Sequence, residues 1–336
     1  MEAAAKEAKG VGGTHTSVDV GELVGNSDPI EQKPLLEELQ VLLREFSAST
    51  QRWFRSGRHL EVEGRSVFVR ELGEGPDLLL IHGFPTSSFD WQVVTELLSP
   101  HFHCVSLDFL GFGLSDKPEA YSYSLFQQTD LVERIVEMMG ISEVHVLSHD
   151  MGTSSHTELL AREQEQRLGF RIASSTFLNG SLLKDKATLI GFQRMLEDPQ
   201  RLPEAIEFCA KMVPAYVSGL KRLMARPEVV SDEDAQVMTE LLLYQDGNQR
   251  LPNVYAYVRE RYLHKERWIG ALESTPSPVQ LVWGSDDPVA NVAMGRALRN
   301  MLPRAHYTEL PGIGHFVPLE APEEVASAIR RIAGVE

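Results

Sequence analysis

The chain is poor in the covalent and metal-binding devices that hold small proteins together. Only two cysteines, Cys104 and Cys209, occur in 336 residues. That is too few for a disulfide framework, and neither belongs to a C-x-x-C pair that would bind zinc or cycle a dithiol. The scarcity predicts a reducing compartment. Positive charge is also short. The 32 Lys and Arg stand against 48 Asp and Glu, a formal net charge of −16 at pH 7, which repels nucleic-acid backbones and anionic lipid. Nucleic acid is therefore not expected as a partner. No apolar run approaches the ~20 residues that cross a bilayer, and the amino terminus lacks the basic-then-apolar order of a secretory signal. The expectation is a soluble, cytoplasmic protein with no membrane span. Apolar residues, by contrast, are plentiful: they make up 43% of the chain and charged residues 24%, a composition that buries a full-sized core.

Residues 1–33 open with MEAAAKEAKG, which resembles a helical spacer, and continue through Gly, Ser, Thr and Asp without an aromatic side chain. They read as a disordered leader. From Pro34 the run LLEELQVLLREF predicts an amphipathic helix over 35–46. Short apolar strands are then expected at 59–62, 65–71, 77–82, 103–108, 143–148, 170–178, 279–283 and 306–310. Helices are expected at 89–98, 124–139, 153–165, 290–301 and 323–332. This alternation implies a parallel sheet with helices on both faces. Between 183 and 267 the strand pattern disappears, and Pro199, Pro203, Pro214 and Pro227 break the segment into several helices. The expected organisation is a core in two parts, 34–182 and 269–336, with a helical cap at 183–268 inserted between them.

Chemistry concentrates at the strand ends. The strand at 143–148 runs into Ser148-His149-Asp150-Met151-Gly152 and then a helix, the setting of a nucleophile elbow with an aspartate at its apex. Taken alone, Asp150 serves equally well as a helix cap. Other strand ends favour chemistry. His82-Gly83-Phe84-Pro85 follows an apolar strand, and the amides of Phe84 and Met151 can form an oxyanion hole around a charge developing at Asp150. Downstream, Gly284-Ser285-Asp286-Asp287-Pro288 ends one strand, and Gly312-Ile313-Gly314-His315-Phe316 follows the next. The order nucleophile, acid, histidine is that of an α/β-hydrolase.

These runs carry a resemblance. HGFPTSS (82–88), LDFLGFGLSDKP (107–118), SHDMG (148–152), WGSDDP (283–288) and GIGHF (312–316) make the chain, over 54–332, similar to the α/β-hydrolases with an aspartate nucleophile, the epoxide hydrolases and haloalkane dehalogenases. Within them it looks most like the mesoderm-specific transcript proteins, through HGFPTSSFDW, LSHD, QDGN (245–248) and RWIGAL (267–272). It departs from those in lacking an apolar leader and in placing Met151 after the nucleophile. The resemblance implies an α/β-hydrolase fold: a mostly parallel eight-stranded sheet, helices on both faces and an inserted helical cap. It implies a small lipophilic substrate, water as second substrate, and no metal or organic cofactor.

The implied chemistry follows from an ionised carboxylate, which needs no base to attack an sp3 carbon. Asp150 would form an alkyl-enzyme ester, His315 would activate the water that cleaves it, and Asp287 would orient His315. Asp287 is preferred over Asp286 because it stands third after Gly284, as the family pattern requires. Met151 offers no side-chain N–H for a halide, which favours epoxide opening assisted by a tyrosine. Tyr257, on the stretch returning to the core, resembles the placement of one such tyrosine. Tyr216 and Tyr244 are candidates for a second, and Tyr255 and Tyr262 lie nearby in the chain. Trp91, Phe316 and Tyr216, with Phe89, are candidates to line an apolar pocket. His149 is expected to support the turn. A dehalogenase, or a non-catalytic ligand-binding protein on the same fold, remains open at this point.

Overall fold

The computed structural model describes residues 45–335 apart from 190 and 256, so the leader and all but the last two residues of the helix expected at 35–46 lie outside the described residues. Eight strands form one sheet: β1 (Arg58–Val62), β2 (Arg65–Leu72), β3 (Asp77–Ile81), β4 (His103–Leu107), β5 (Glu143–His149), β6 (Arg171–Leu178), β7 (Val279–Gly284) and β8 (His306–Leu310). Their spatial order is β1-β2-β4-β3-β5-β6-β7-β8. β2 runs antiparallel to β1 and β4, and every other neighbouring pair is parallel. The fold is the α/β-hydrolase fold that the resemblance implies.

The central strands are apolar throughout because both faces are covered. Alternate side chains point opposite ways, so Leu79 and Ile81 of β3 join one core while Leu78 and Leu80 join the other. The chain threads this sheet with α1 (Ala48–Arg55), α2 (Gln92–Leu98), α3 (Leu125–Met138) and α4 (Gly152–Gln164). Between β6 and β7 lie only helices among the described residues: α5 (Gly191–Glu197), α6 (Leu202–Lys211), α7 (Tyr216–Lys221), α8 (Asp232–Leu243), α9 (Gly247–Val254), α10 (Tyr257–Leu263) and α11 (Lys265–Ser274), with short 3-10 turns between some of them. The carboxyl-terminal part adds α12 (Val292–Met301), α13 (Val317–Glu320) and α14 (Pro322–Ala333). α2 and α14 cover one face of the sheet, α3, α4 and α12 the other.

Two details differ from the sequence reading. Pro199, Pro203, Pro214 and Pro227 occupy the first or second position of a helical turn. There the missing N–H costs nothing, so each proline opens a helix as well as marking a break. Pro252 lies inside α9, and the break between α8 and α9 contains no proline: Gln245 and Asp246 turn the chain there with φ of 50° and 57°. The helix expected at 89–98 is likewise split, a 3-10 turn over Ser88–Trp91 preceding α2.

The helical segment is docked over the carboxyl ends of the strands. The amides of Ala225 and Arg226 donate to Glu320 Oε2 at 2.8 and 3.0 Å. The Tyr216 hydroxyl donates to the Pro85 carbonyl at 3.1 Å, and the Leu125 amide donates to Glu260 Oε2 at 2.6 Å. Leu220, Leu241, Val258 and Trp268 of the segment belong to the same apolar cluster as Leu79 and Ile81 of the sheet. Among the described residues no helix is long and apolar enough to cross a membrane.

Candidate active site

The carboxyl ends of parallel strands leave their loops free of the sheet, which is where such folds gather polar side chains. β5 ends at His149, and Asp150 then turns with φ of 47° before α4 begins. A left-handed aspartate costs about 1–3 kcal/mol, and the surroundings hold it. Its amide donates to Leu178 O at 3.3 Å, and its carbonyl accepts from the Thr153 amide at 3.2 Å and hydroxyl at 2.6 Å. Gly152 allows α4 to approach β3: a Cβ there would lie 2.5 Å from Ile81 O and 2.6 Å from His82 O, both backbone atoms. The helix-cap alternative fails, because the cap position belongs to Met151 and carries no side-chain hydrogen bond. Met151 has helical φ and ψ of −60° and −38°, and it opens a helix whose first amides have no intrahelical acceptor.

The Asp150 carboxylate is 5% exposed and meets two groups. The Phe84 amide donates to Oδ1 at 2.9 Å, and His315 Nε2 stands 3.7 Å from Oδ2. His82 fixes the turn that delivers the Phe84 amide. Its Nε2 accepts from the Phe109 amide at 3.0 Å, so Nδ1 carries the proton and donates to Gly83 O at 2.8 Å. Burial lowers its pKa and favours this neutral form.

Behind His315, Nδ1 lies 2.8 Å from Asp287 Oδ2. That oxygen also accepts from Asn179 Nδ2 at 2.6 Å, while Oδ1 accepts from the amides of Val289 at 2.7 Å and Ala290 at 3.0 Å. Burial disfavours the Asp287 anion, but these donors and the His315 charge outweigh it and hold its pKa below the ordinary carboxylate value. Burial likewise opposes a charged His315. The Asp287 carboxylate and its hydrogen bond, then Asp150 and Glu320, overcome that and raise the ring to about 9.

The structure thus brings Asp150, Asp287 and His315 into one line, with the Phe84 amide on Asp150 and Met151 next to it in the chain. Asp286 does not join them: it is exposed and accepts from the Ser285 hydroxyl at 2.5 Å. Phe316 stands edge-on to His315 at 5.1 Å. His149 donates from Nε2 to His315 O at 2.9 Å, tying the elbow to the histidine loop. Tyr257 is buried, with its ring 5.9 Å from that of Phe84 and 4.9 Å from the Arg261 guanidinium. Tyr255 packs 5.4 Å from the same phenylalanine. Tyr244 lies apart, over Lys117 at 4.7 Å, and Tyr262 is half-buried at the edge of the core. Trp91 is a correction. It packs with Val94, Leu98 and Phe102 on the sheet face covered by α2 and α14, so it is core and lines no pocket at Asp150. Phe89 is core too, edge-on to Trp53 at 5.1 Å.

Three buried residues escape the sequence reading. Asn179, directly after β6, ties Asp287 to β7 by accepting from the Gly284 amide at 2.9 Å. Glu320 accepts from the amides of Gly314 at 2.9 Å and Phe316 at 3.1 Å, so it shapes the loop on either side of His315. Asp90 lies beside the HGFP turn. The signals available were faint: an Asn-Gly at a strand end, and an acid five residues after the histidine. Among the described residues no cluster of His, Cys, Asp and Glu is built to hold a metal.

A buried acid–histidine–acid line at the carboxyl edge of this sheet defines the molecule as a hydrolase of the α/β class. The chain matches the family described as the alpha/beta hydrolase family over residues 78–328, and it belongs to that family. It is 42% identical to LipZ of Mycobacterium tuberculosis over 84% of this chain and 97% of that protein. It is 31% identical to the mesoderm-specific transcript homolog protein of Homo sapiens, over 86% and 89% respectively. Two solved structures share the fold. Haloalkane dehalogenase DbeA from Bradyrhizobium elkani is 23% identical with a TM-score of 0.69, covering 83% of this chain and 98% of that one. Epoxide hydrolase CorEH is 20% identical with a TM-score of 0.66, also over 83% and 98%.

Proposed function

We propose that the chain hydrolyses small lipophilic epoxides to diols through an ester formed on Asp150, with 183–268 acting as a cap over the site. The observation that carries this reading is the line from Asp287 through His315 to Asp150, at 2.8 and 3.7 Å, with the Phe84 amide already on Asp150 Oδ1. Oδ2 attacks the epoxide carbon as the C–O bond breaks, and the leaving oxygen takes the Tyr257 proton. Burial, then Asp150, keeps the Tyr257 pKa well above the ordinary phenol value, so that proton is in place at neutral pH. Water then enters the gap facing His315, gives a proton to Nε2 and attacks the ester carbon. The oxyanion forms at Oδ1, against the amides of Phe84 and Met151. Collapse breaks the ester bond, and the protons held by His315 and the new carboxylic acid pass to the diol and to Tyr257. Forming the ester removes the Asp150 charge, one of the carboxylates raising the His315 pKa. With that charge gone the ring releases its resting proton to solvent and becomes the base at the stage that needs one, and it regains a proton from solvent once the Asp150 carboxylate is restored.

The epoxide reading rests on Tyr257, whose ring packs 5.9 Å from that of Phe84, the residue whose amide holds Asp150, and on Met151, which has no side-chain donor for a halide. Turnover of an epoxide in oxygen-18 water tests the scheme: label accumulates in the Asp150 carboxylate over repeated cycles. Diol formation with an unlabelled Asp150 peptide rules out the ester. In His315→Ala the ester persists and adds the mass of the substrate to the intact protein. Halide release from haloalkanes without epoxide consumption moves the reading to a dehalogenase.

A further inference from the structure

The HGFP turn carries a second buried acid that the proposed reaction does not use. Asp90, in the 3-10 turn Ser88–Trp91, is 2% exposed. Its Oδ2 accepts from the Thr86 hydroxyl, whereas Oδ1 is buried and has no hydrogen-bond partner among the described residues. Asp90 and Thr86 line a cavity of about 10 Å³ together with Phe112, Tyr216, Met238 and Leu242. That is room for about one water-sized group. Tyr216 gives its proton to Pro85 O, which leaves its hydroxyl oxygen as an acceptor. An orphaned carboxyl oxygen on a residue that lines a small cavity calls for an occupant, since burying such an atom unpaired is costly.

We propose that this cavity is a hydroxyl subsite, in which Asp90 and Tyr216 receive one hydroxyl group of the substrate, carried on the arm leading away from the carbon that Asp150 attacks. The inference rests on the reaction proposed above and names a substrate class within it: epoxides that bear a separate hydroxyl. Size excludes a carboxylate or phosphate, and the apolar wall of Phe112, Met238 and Leu242 excludes an ammonium group, which would lose its hydration there. A hydroxyl both donates and accepts. It can donate to an ionised Asp90 and accept from a protonated one, and both forms are present at neutral pH. Burial pushes Asp90 up to about 7, Thr86 and His315 pull it down, and Asp108 and Asp150 push it further up. Pro85, which lines the same cavity, directly follows Phe84, whose amide holds Asp150 Oδ1 at 2.9 Å, so the cavity adjoins the reacting carboxylate.

The test compares 1,2-epoxyalkanes of increasing chain length that end in either a hydroxyl or a methyl group. At the length that reaches the cavity, the hydroxyl-terminated member is preferred about tenfold in kcat/KM, the worth of one buried hydrogen bond. Asp90→Asn keeps the preference, because an amide both donates and accepts, whereas Asp90→Leu brings the ratio to one and Tyr216→Phe lowers it. A ratio near one at every length in the unaltered protein overturns the subsite while leaving the epoxide reading in place. A second measurement needs no turnover: in Asp150→Asn, 1-alkanols raise the melting temperature more than their methyl ethers do, and adding Asp90→Leu abolishes the difference. Equal shifts overturn the subsite. If no epoxide is consumed, the reaction reading fails and this binding measurement still decides the subsite.

Discussion

His315 sits between two carboxylates with different environments. Asp287 is saturated by Asn179 and two backbone amides, whereas Asp150 has one amide and an open oxygen facing the ring. Removing the charge of Asp150 therefore lowers the His315 pKa from about 9, and histidine NMR titration of Asp150→Asn measures the drop. The same group fixes a sign for stability. A histidine raised in the folded state, from 6.5 to about 9, contributes stability that is complete below pH 6.5 and lost as pH rises through 9. The contribution amounts to about 3 kcal/mol. In Asp150→Asn the alkaline loss is smaller and is complete at lower pH, which thermal unfolding between pH 6 and 10 resolves. Asp90 works in the opposite direction. Its pKa is raised from 3.8 to about 7, so folding loses stability as pH climbs across that interval. Asp90→Asn removes the penalty, and its melting temperature should gain on the unaltered protein between pH 4 and 7. A gap independent of pH would refute this.

At the scale of elements, α4 carries a clamp as well as the elbow. Glu158, 1% exposed and two turns after Asp150, accepts from Arg162 Nε at 2.9 Å, Arg267 Nε at 2.7 Å and Trp268 Nε1 at 2.9 Å. The resemblance motif RWIGAL thus acts by pinning α11 to α4. Removing one partner of a buried ion pair strands the other, so Glu158→Ala should destabilise the fold by about 3 kcal/mol. Arg267→Met costs less, because Arg162 and Trp268 still satisfy the carboxylate; urea midpoints measure both. The elements themselves were legible because strands buried on both faces read as unbroken apolar runs, and because Asp150, Asp287 and His315 sit in glycine-marked turns. Asn179 was not, since what it does depends on a partner far away in sequence, Asp287, and Glu320 was not because an acid in a short helix after the histidine gives no sign that it turns back onto the amides of Gly314 and Phe316. Trp91 misled for a related reason: an aromatic after an HGFP turn carries no local sign of which face of the sheet it meets.

At the scale of the molecule, the inserted helices behave as part of the core and not as a separate body. A domain that folds alone owns its apolar cluster. Here Leu220, Leu241, Val258 and Trp268 are continuous with Leu79, Ile81 and Phe177 of the sheet, and Glu320 and Pro85 receive hydrogen bonds from the segment. Detaching the segment would expose the apolar side chains it shares with the core at the strand ends, so the two should unfold together. The tryptophans permit a direct measurement. Trp268 lies in α11, while Trp91 lies in the opposite core under α2 and α14. In variants retaining only one of the two, with the remaining tryptophans changed to phenylalanine, the fluorescence midpoints in urea should coincide when each is referred to its own far-ultraviolet midpoint. If Trp268 reports an earlier transition than Trp91, the helical segment is an independent unit, and closure over Asp150 would then be set by its own folding equilibrium.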